Sequence, residues 1–211
     1  MSDDRIVLSL CDRTGNMVRP WLAAGWECWI VDMQHEPGEH RDPDNPLLVR
    51  VGADVTRWLP PRREYRIVFG FPPCTNLAVS GSRWFRTKGL AGLIDGLRVV
   101  EGTREIAEWC EAPWMIENPV STLSSYWRKP DFLFDPCDYA RLAGEHEAYT
   151  KRTCLWVGNG FVMPEPRPLP PELGSKMHRL PPSEDRGDLR SITPLGFARA
   201  VYLANHKESG S

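Results

Sequence analysis

Ile6-Val7-Leu8-Ser9-Leu10 and Cys28-Trp29-Ile30-Val31-Asp32 flank a stretch, Met17 to Ala24, with helical spacing that Gly25 stops. Short apolar runs bounded by turn residues read as strands buried on both faces, which parallel sheets require. A strand, helix, strand opening therefore predicts parallel pairing and a ligand crevice at the carboxyl ends of the strands. Working outward, Arg66 to Phe71 reads as another buried strand. Leu90 to Cys110 follows, with Leu90, Leu93, Ile94, Leu97, Val100, Ile106, Ala107, Trp109 and Cys110 at helical spacing and an expected break near Gly102. Trp114 to Ile116 and Cys154 to Val157 complete the strands, and Thr193-Pro194 opens a last helix. The polar segment from His35 to Pro46 is expected to be an exposed loop.

Two strand ends carry chemistry. Arg66 to Gly70 runs into Phe71-Pro72-Pro73-Cys74, and 43 residues after Cys74 the next strand ends in Glu117-Asn118-Pro119. A thiol and a carboxyl delivered at neighbouring strand ends suit covalent attack on a pyrimidine: a thiolate adds to C6 while an acid protonates N3.

These motifs, in this order and spacing, resemble those of the cytosine-C5 DNA methyltransferase family, and are most like its short phage and prophage members. Other pieces match in order: Leu8 to Asn16 at the first strand, Asp32 at the second, Gly52-Ala53-Asp54-Val55-Thr56 before the third, Tyr149 to Trp156, and Ile192-Thr193-Pro194-Leu195-Gly196. The resemblance implies a single Rossmann-like α/β methyltransferase domain, mainly parallel sheet with helices on both faces. It implies Cys74 as nucleophile, Glu117 as acid, Asn118 as its support and Arg152 as a contact to the base. It implies S-adenosyl-L-methionine as cofactor, with Asp12, Thr14, Gly15 and Asn16 at its methionine end, Asp32 on the ribose hydroxyls, and Asp54, Val55 and Pro72 completing the site. Ser80, Arg83, Trp84 and Arg128 are the expected substrate contacts. The loop after Cys74, with Ser80-Gly81-Ser82, resembles the one that closes over an extruded base.

The chain also departs from the family. Its glycine-rich turn is reduced to Leu10-Cys11-Asp12-Arg13-Thr14-Gly15, its Gln-x-Arg-x-Arg element appears as Thr150-Lys151-Arg152-Thr153-Cys154, and its Gly-Asn-Ser element is replaced by Thr193-Pro194-Leu195. A catalytic domain over 1–205 is expected, with a Pro-rich segment at 158–190 in place of a target-recognition domain, and a frayed tail at 206–211. That segment is short for side chains that read bases in a groove. DNA of low sequence specificity, a partner subunit for recognition, or a free deoxycytidine nucleotide as substrate would each accommodate this. A noncatalytic nucleic-acid-binding relative is the alternative of another class.

Composition fits an enzyme domain: 211 residues, 41% hydrophobic, nine tryptophans. Neither a membrane span nor a secretory signal is evident, so a cytoplasmic location, in a bacterium or phage-infected cell, is expected. The net charge is -2 although 21 of 26 basic residues are arginine. Bulk charge cannot hold DNA here, and any DNA site must be a local patch near Arg83, Arg86, Arg128 and Arg152. The six cysteines form no close pairs, and His35 and His40 match no ligand spacing, so no metal is expected.

Overall fold

The computed structural model of the protein describes residues 5–176 and 191–207. It contains an eight-stranded sheet: β1 (Ile6–Leu10), β2 (Cys28–Val31), β3 (Gly38–Arg41), β4 (Leu48–Gly52), β5 (Tyr65–Gly70), β6 (Trp114–Pro119), β7 (Phe132–Phe134) and β8 (Thr153–Gly158). The strand order is β3-β4-β2-β1-β5-β6-β8-β7. Strands β4, β2, β1, β5 and β6 pair in parallel, whereas β8 inserts antiparallel beside β6 and β3 antiparallel beside β4. From β1 the chain builds first to one side through β2 and β4, then to the other through β5 and β6. This is a Rossmann-like, doubly wound α/β domain, whose order reverses at β1 and β5 and opens a crevice there.

Alternation along each strand divides the core. Leu8, Leu10, Trp29, Val31, Val68, Trp114, Ile116 and Trp156 pack on one face; Val7, Ile30, Ile67, Phe69, Met115 and Leu155 pack on the other. The first face is covered by α2 (Phe85–Trp109), through Val100, Ile106 and Ala107. The second is covered by α1 (Arg19–Ala23) and α4 (Leu195–Asn205), through Trp21, Phe197 and Val201. A one-turn α3 (Leu123–Tyr126) follows β6. Trp21 meets Tyr202 edge to face at 5.1 Å, joining α1 to α4, and Phe197 stacks on Phe134 of β7 at 4.1 Å.

Several expectations are corrected. The stretch taken as a loop contains β3, an edge strand made of polar residues, Gly38-Glu39-His40-Arg41. Its neighbour β4 is the third parallel strand in chain order, so Asp54 and Val55 follow that strand instead of preceding it. The helix expected to break near Gly102 is continuous there. Its irregular residue is Gly89, at φ 61° and ψ -163°, which only glycine adopts readily. Gly102 serves packing instead, since a Cβ there would lie 2.8 Å from the Val55 carbonyl oxygen. The helix expected from Met17 is regular only from Arg19, with Pro20 in its first turn.

The Pro-rich segment, as far as Lys176, runs along a 3-10 helix, Pro136–Leu142. Arg167 and Leu169 donate their N–H groups to the carbonyls of Asp138 and Cys137, and Tyr139 Oη donates to the Pro164 carbonyl. Residues 177–190 and 208–211 of the Pro-rich and tail expectations lie outside the described residues. Within the tail, Lys207 is tied down, because the buried Arg66 guanidinium donates to its carbonyl and to that of Asn205. No described helix is long and apolar enough to cross a membrane.

Phe69 is fully buried between β1 and α1. Phe69→Ala is expected to cost about 3–5 kcal/mol, read as a lower urea midpoint at unchanged slope.

Candidate active site

Cys74 and Glu117 leave the sheet at the same end because β5 and β6 are adjacent and parallel. Their exit segments are laced together. The buried Asn118 donates from Nδ2 to the Pro72 carbonyl at 2.8 Å. Further out, Val79 N donates to Val120 O at 3.2 Å and Thr122 N to Leu77 O at 3.0 Å. Cys74 itself sits in a turn whose carbonyl accepts the N–H groups of Leu77 and Ala78, at 2.9 and 2.8 Å, and it is only partly buried. Asn118 Oδ1 is buried and has no hydrogen-bond partner among the described residues.

Glu117 lines a small crevice with Phe71, Phe134, Lys151, Thr193 and Phe197. Burial pushes its carboxyl above the ordinary carboxylate range, and the Lys151 ammonium pulls it partly back. A carboxyl so placed is easier to protonate than an exposed one. Lys151 was not among the residues singled out from sequence, where Arg152 was. Arg152 is exposed and pairs with Asp135 at 3.1 Å, and it does not line this crevice.

The substrate contacts expected from sequence are spread out. Ser80, Arg83 and Trp84 lie on a 3-10 helix, Val79–Trp84, that runs directly into α2, so the stretch expected to be a flexible loop is helical. Arg83 lies over the exposed Trp84 ring at 5.2 Å. Arg128 is engaged within the fold: it pairs with Asp131 at 2.6 Å, donates to the Val157 carbonyl, and covers Trp127.

The second half of the site lies at the carboxyl ends of β1, β2 and β4. Asp12 is buried and its carboxylate is committed to folding its own loop, accepting from Ser9 Oγ, Thr14 N, Thr14 Oγ1 and Gly15 N. Asn16 is buried beside it, its N–H donating to Thr14 Oγ1. Asp32 accepts the Gln34 N–H through Oδ1, and no described residue donates to its Oδ2. Asp54 caps Thr56 through the same single oxygen, Oδ1, which holds its carboxyl below the usual range. Val55 is buried behind it against α2. His35 bonds from Nε2 to the Asp12 carbonyl at 3.2 Å, joining the loops after β1 and β2. Cys11 lies among these groups. Burial, then the charges of Asp32, Asp54 and Asp12, push its thiol up to about 12, against an opposing contact from Thr103. The three aspartates therefore bear on one small volume, and their sign suits a cationic ligand. Among the described residues, no group of three or more His, Cys, Asp or Glu side chains could hold a metal ion.

No protein-family model and no curated protein matches the chain. Solved structures give partial likenesses. One is a candidate DNA modification methyltransferase encoded within a prophage of E. coli, 12% identical, with a TM-score of 0.48 over 73% of this chain and 46% of that one. Another is the CcbJ methyltransferase from Streptomyces caelestis, 15% identical, with a TM-score of 0.34 over 62% and 49% of the two chains. A third is the glycopeptide N-methyltransferase MtfA complexed with S-adenosyl-L-methionine, 14% identical, with a TM-score of 0.30 over 64% and 54%. The chain spans about half the length of the structures it matches.

Two measurements probe this geometry. Asn118→Ala is expected to lower stability by roughly 1–3 kcal/mol, the cost of leaving the buried Pro72 carbonyl unpaired, seen as a reduced thermal midpoint. Under iodoacetamide at neutral pH, Cys74 is expected to alkylate before Cys11 and Cys110, whose thiols burial pushes up to about 12; peptide mapping of the first-labelled site reads the order.

Proposed function

We propose that the protein transfers a methyl group from S-adenosyl-L-methionine to C5 of cytosine in DNA. The observation that carries this reading is the stitching together of the adjacent strand ends that carry a partly exposed Cys74 and Glu117, whose carboxyl burial pushes up.

The cofactor's chemistry would be an electrophilic methyl group on a sulfonium. The residues at the carboxyl ends of β1, β2 and β4 fit such a ligand: Asp32 Oδ2 offers an acceptor for ribose hydroxyls, Asp54 Oδ2 one for the adenine amine, and the aspartates together complement the positive sulfonium and amine. Asp12 acts one step removed, shaping the turn that presents the N–H groups and carbonyls of residues 13–16.

At the ends of β5 and β6 the Cys74 thiolate would add to C6, forming a carbon–sulfur bond as the C5–C6 double bond opens and Glu117 gives its proton to N3. C5 would then carry the electron pair for which the donor supplies an electrophilic methyl group, the donor's sulfur keeping the pair of the broken S–CH3 bond. Loss of the C5 proton to water re-forms the double bond, expels the Cys74 sulfur, and returns the N3 proton to Glu117. Asn118 holds the Pro72 carbonyl and so fixes the Cys74 turn against Glu117.

A polynucleotide is favoured over a free nucleotide by local charge. Residues 71–94 contain Arg83, Arg86 and Lys88 and no acidic residue, in a chain whose net charge is -2. The exposed Trp84 interleaves with these cations, as strands stacking on aromatic side chains require.

Cys74→Ala is expected to abolish methyl transfer from labelled S-adenosyl-L-methionine to DNA while calorimetry still detects cofactor binding. Full turnover by that variant would overturn the covalent route. Glu117→Gln is expected to slow transfer by roughly 10²–10⁴-fold. Because the protonated carboxyl is the active form, the parent rate should fall as pH rises through the elevated pKa of Glu117, and Glu117→Gln should lose that alkaline limb.

A further inference from the structure

We propose that Gly96 of α2 is a positioning residue for Cys74: the absence of a side chain there lets the turn that carries the thiol lie directly on the helix. The inference rests on the reading, given above, that this thiol is the nucleophile.

Glycine inside a helix loses more conformational freedom on folding than alanine would, and it brings no side chain to pack. The regular part of α2 nevertheless carries Gly92, Gly96 and Gly102. Backbone geometry does not require them, because the residue of α2 that departs from helical φ and ψ is Gly89. Close approach does. Gly102 meets the Val55 carbonyl, as described above. Gly96 is buried, and a Cβ there would lie 3.1 Å from Asn76 Cβ, 3.1 Å from Leu77 Cγ and 3.2 Å from Leu77 Cδ2. Carbon atoms in comfortable contact stay about 3.5–4.0 Å apart. A methyl group at this position would therefore have to push Asn76 and Leu77 away.

Those two residues cannot yield alone. Leu77 is fully buried, and its N–H, like that of Ala78, donates to the Cys74 carbonyl, so residues 74–78 move as one turn. That turn is held at two further points. Thr122 N donates to the Leu77 carbonyl at 3.0 Å, and Lys88 Nζ, from the first part of α2, donates to the Thr75 carbonyl at 2.7 Å. Gly92, one helical turn before Gly96, continues the bare face, with Lys88 Cβ and Asn76 Oδ1 lying 2.9 and 3.7 Å from where its Cβ would be. Pressure at position 96 thus reaches the whole turn and carries Cys74 with it. Asn118 holds the chain just before the thiol, at Pro72, and Gly96 seats it just after.

The test is a double-mutant cycle of Gly96→Ala and Leu77→Ala, followed by methyl transfer to DNA and by thermal unfolding. Gly96→Ala is expected to lower kcat by roughly tenfold, a fraction of what a full 1 Å misplacement costs, with KM for DNA and cofactor within about twofold of the parent. Its thermal midpoint should stay near the parent's, since alanine's helix propensity offsets the tighter contact. Leu77→Ala removes the atoms pressed upon, so the added methyl group should lower kcat less in that background than in the parent. The seat is overturned if Gly96→Ala keeps the parent kcat, if its loss lies in KM alone, or if the loss is equally large with Leu77→Ala in place. A fall in midpoint as deep as that of Phe69→Ala would also overturn it, because the glycine would then serve the core and not the turn. If the parent protein methylates no DNA, the nucleophile reading falls, and the rate of Cys74 alkylation by iodoacetamide decides the seat by itself. A rate in Gly96→Ala that differs from the parent's by more than about twofold sustains it, and an unchanged rate overturns it.

Discussion

The 2.8 Å hydrogen bond from Asn118 Nδ2 to the Pro72 carbonyl is the constraint on which the active end depends. Parallel strands deliver their ends to the same side of a sheet, but they do not fix how the chain continues beyond them. Proline cannot donate to a ladder, and Pro72 and Pro73 end the pairing of β5. Without the Asn118 bond, the Cys74 turn would have only its local carbonyl contacts and its packing on α2 to place it. With that bond, and with the exchange between residues 77–79 and 120–122, thiol and carboxyl are held by one hydrogen-bonded unit. The asparagine between Glu117 and Pro119 thereby acts on the thiol more than on its neighbouring carboxyl.

A similar economy governs the other half of the site. Asp12 could have served as a ligand group, yet its carboxylate is the hub of its own loop. That leaves Asp32 and Asp54, each with one oxygen bonded to the following turn and the other not donated to by a described residue. Short acidic side chains that fold a turn with one oxygen leave the other for a ligand, as the proposed cofactor site requires. Burial first, and then the closeness of these charges, pushes the Cys11 thiol up.

Much of this architecture was legible because buried parallel strands are written as continuous apolar runs, as in Ile6 to Leu10 and Cys28 to Val31. What escaped is what depends on distant partners. β3 has no apolar face, being an exposed edge strand, and its neighbour β4 contains Arg50, whose charge is met by Asp42. β7 is three residues long and is held by pairing with β8. That Cys74, Glu117 and Asn118 sit at neighbouring strand ends was legible from the apolar runs that precede them. The settings of Lys151 and Arg152 were not, because both are pinned by Asp135, 16 and 17 residues away.

The most direct measurement is intact-mass analysis of the protein incubated with S-adenosyl-L-methionine and DNA in which 5-fluorocytosine replaces cytosine. Fluorine at C5 prevents the final proton loss, so attack by Cys74 should leave the protein covalently joined to DNA, with the adduct absent in Cys74→Ala. A protein that binds both molecules yet forms no adduct, or forms one in Cys74→Ala, would contradict covalent catalysis at this thiol.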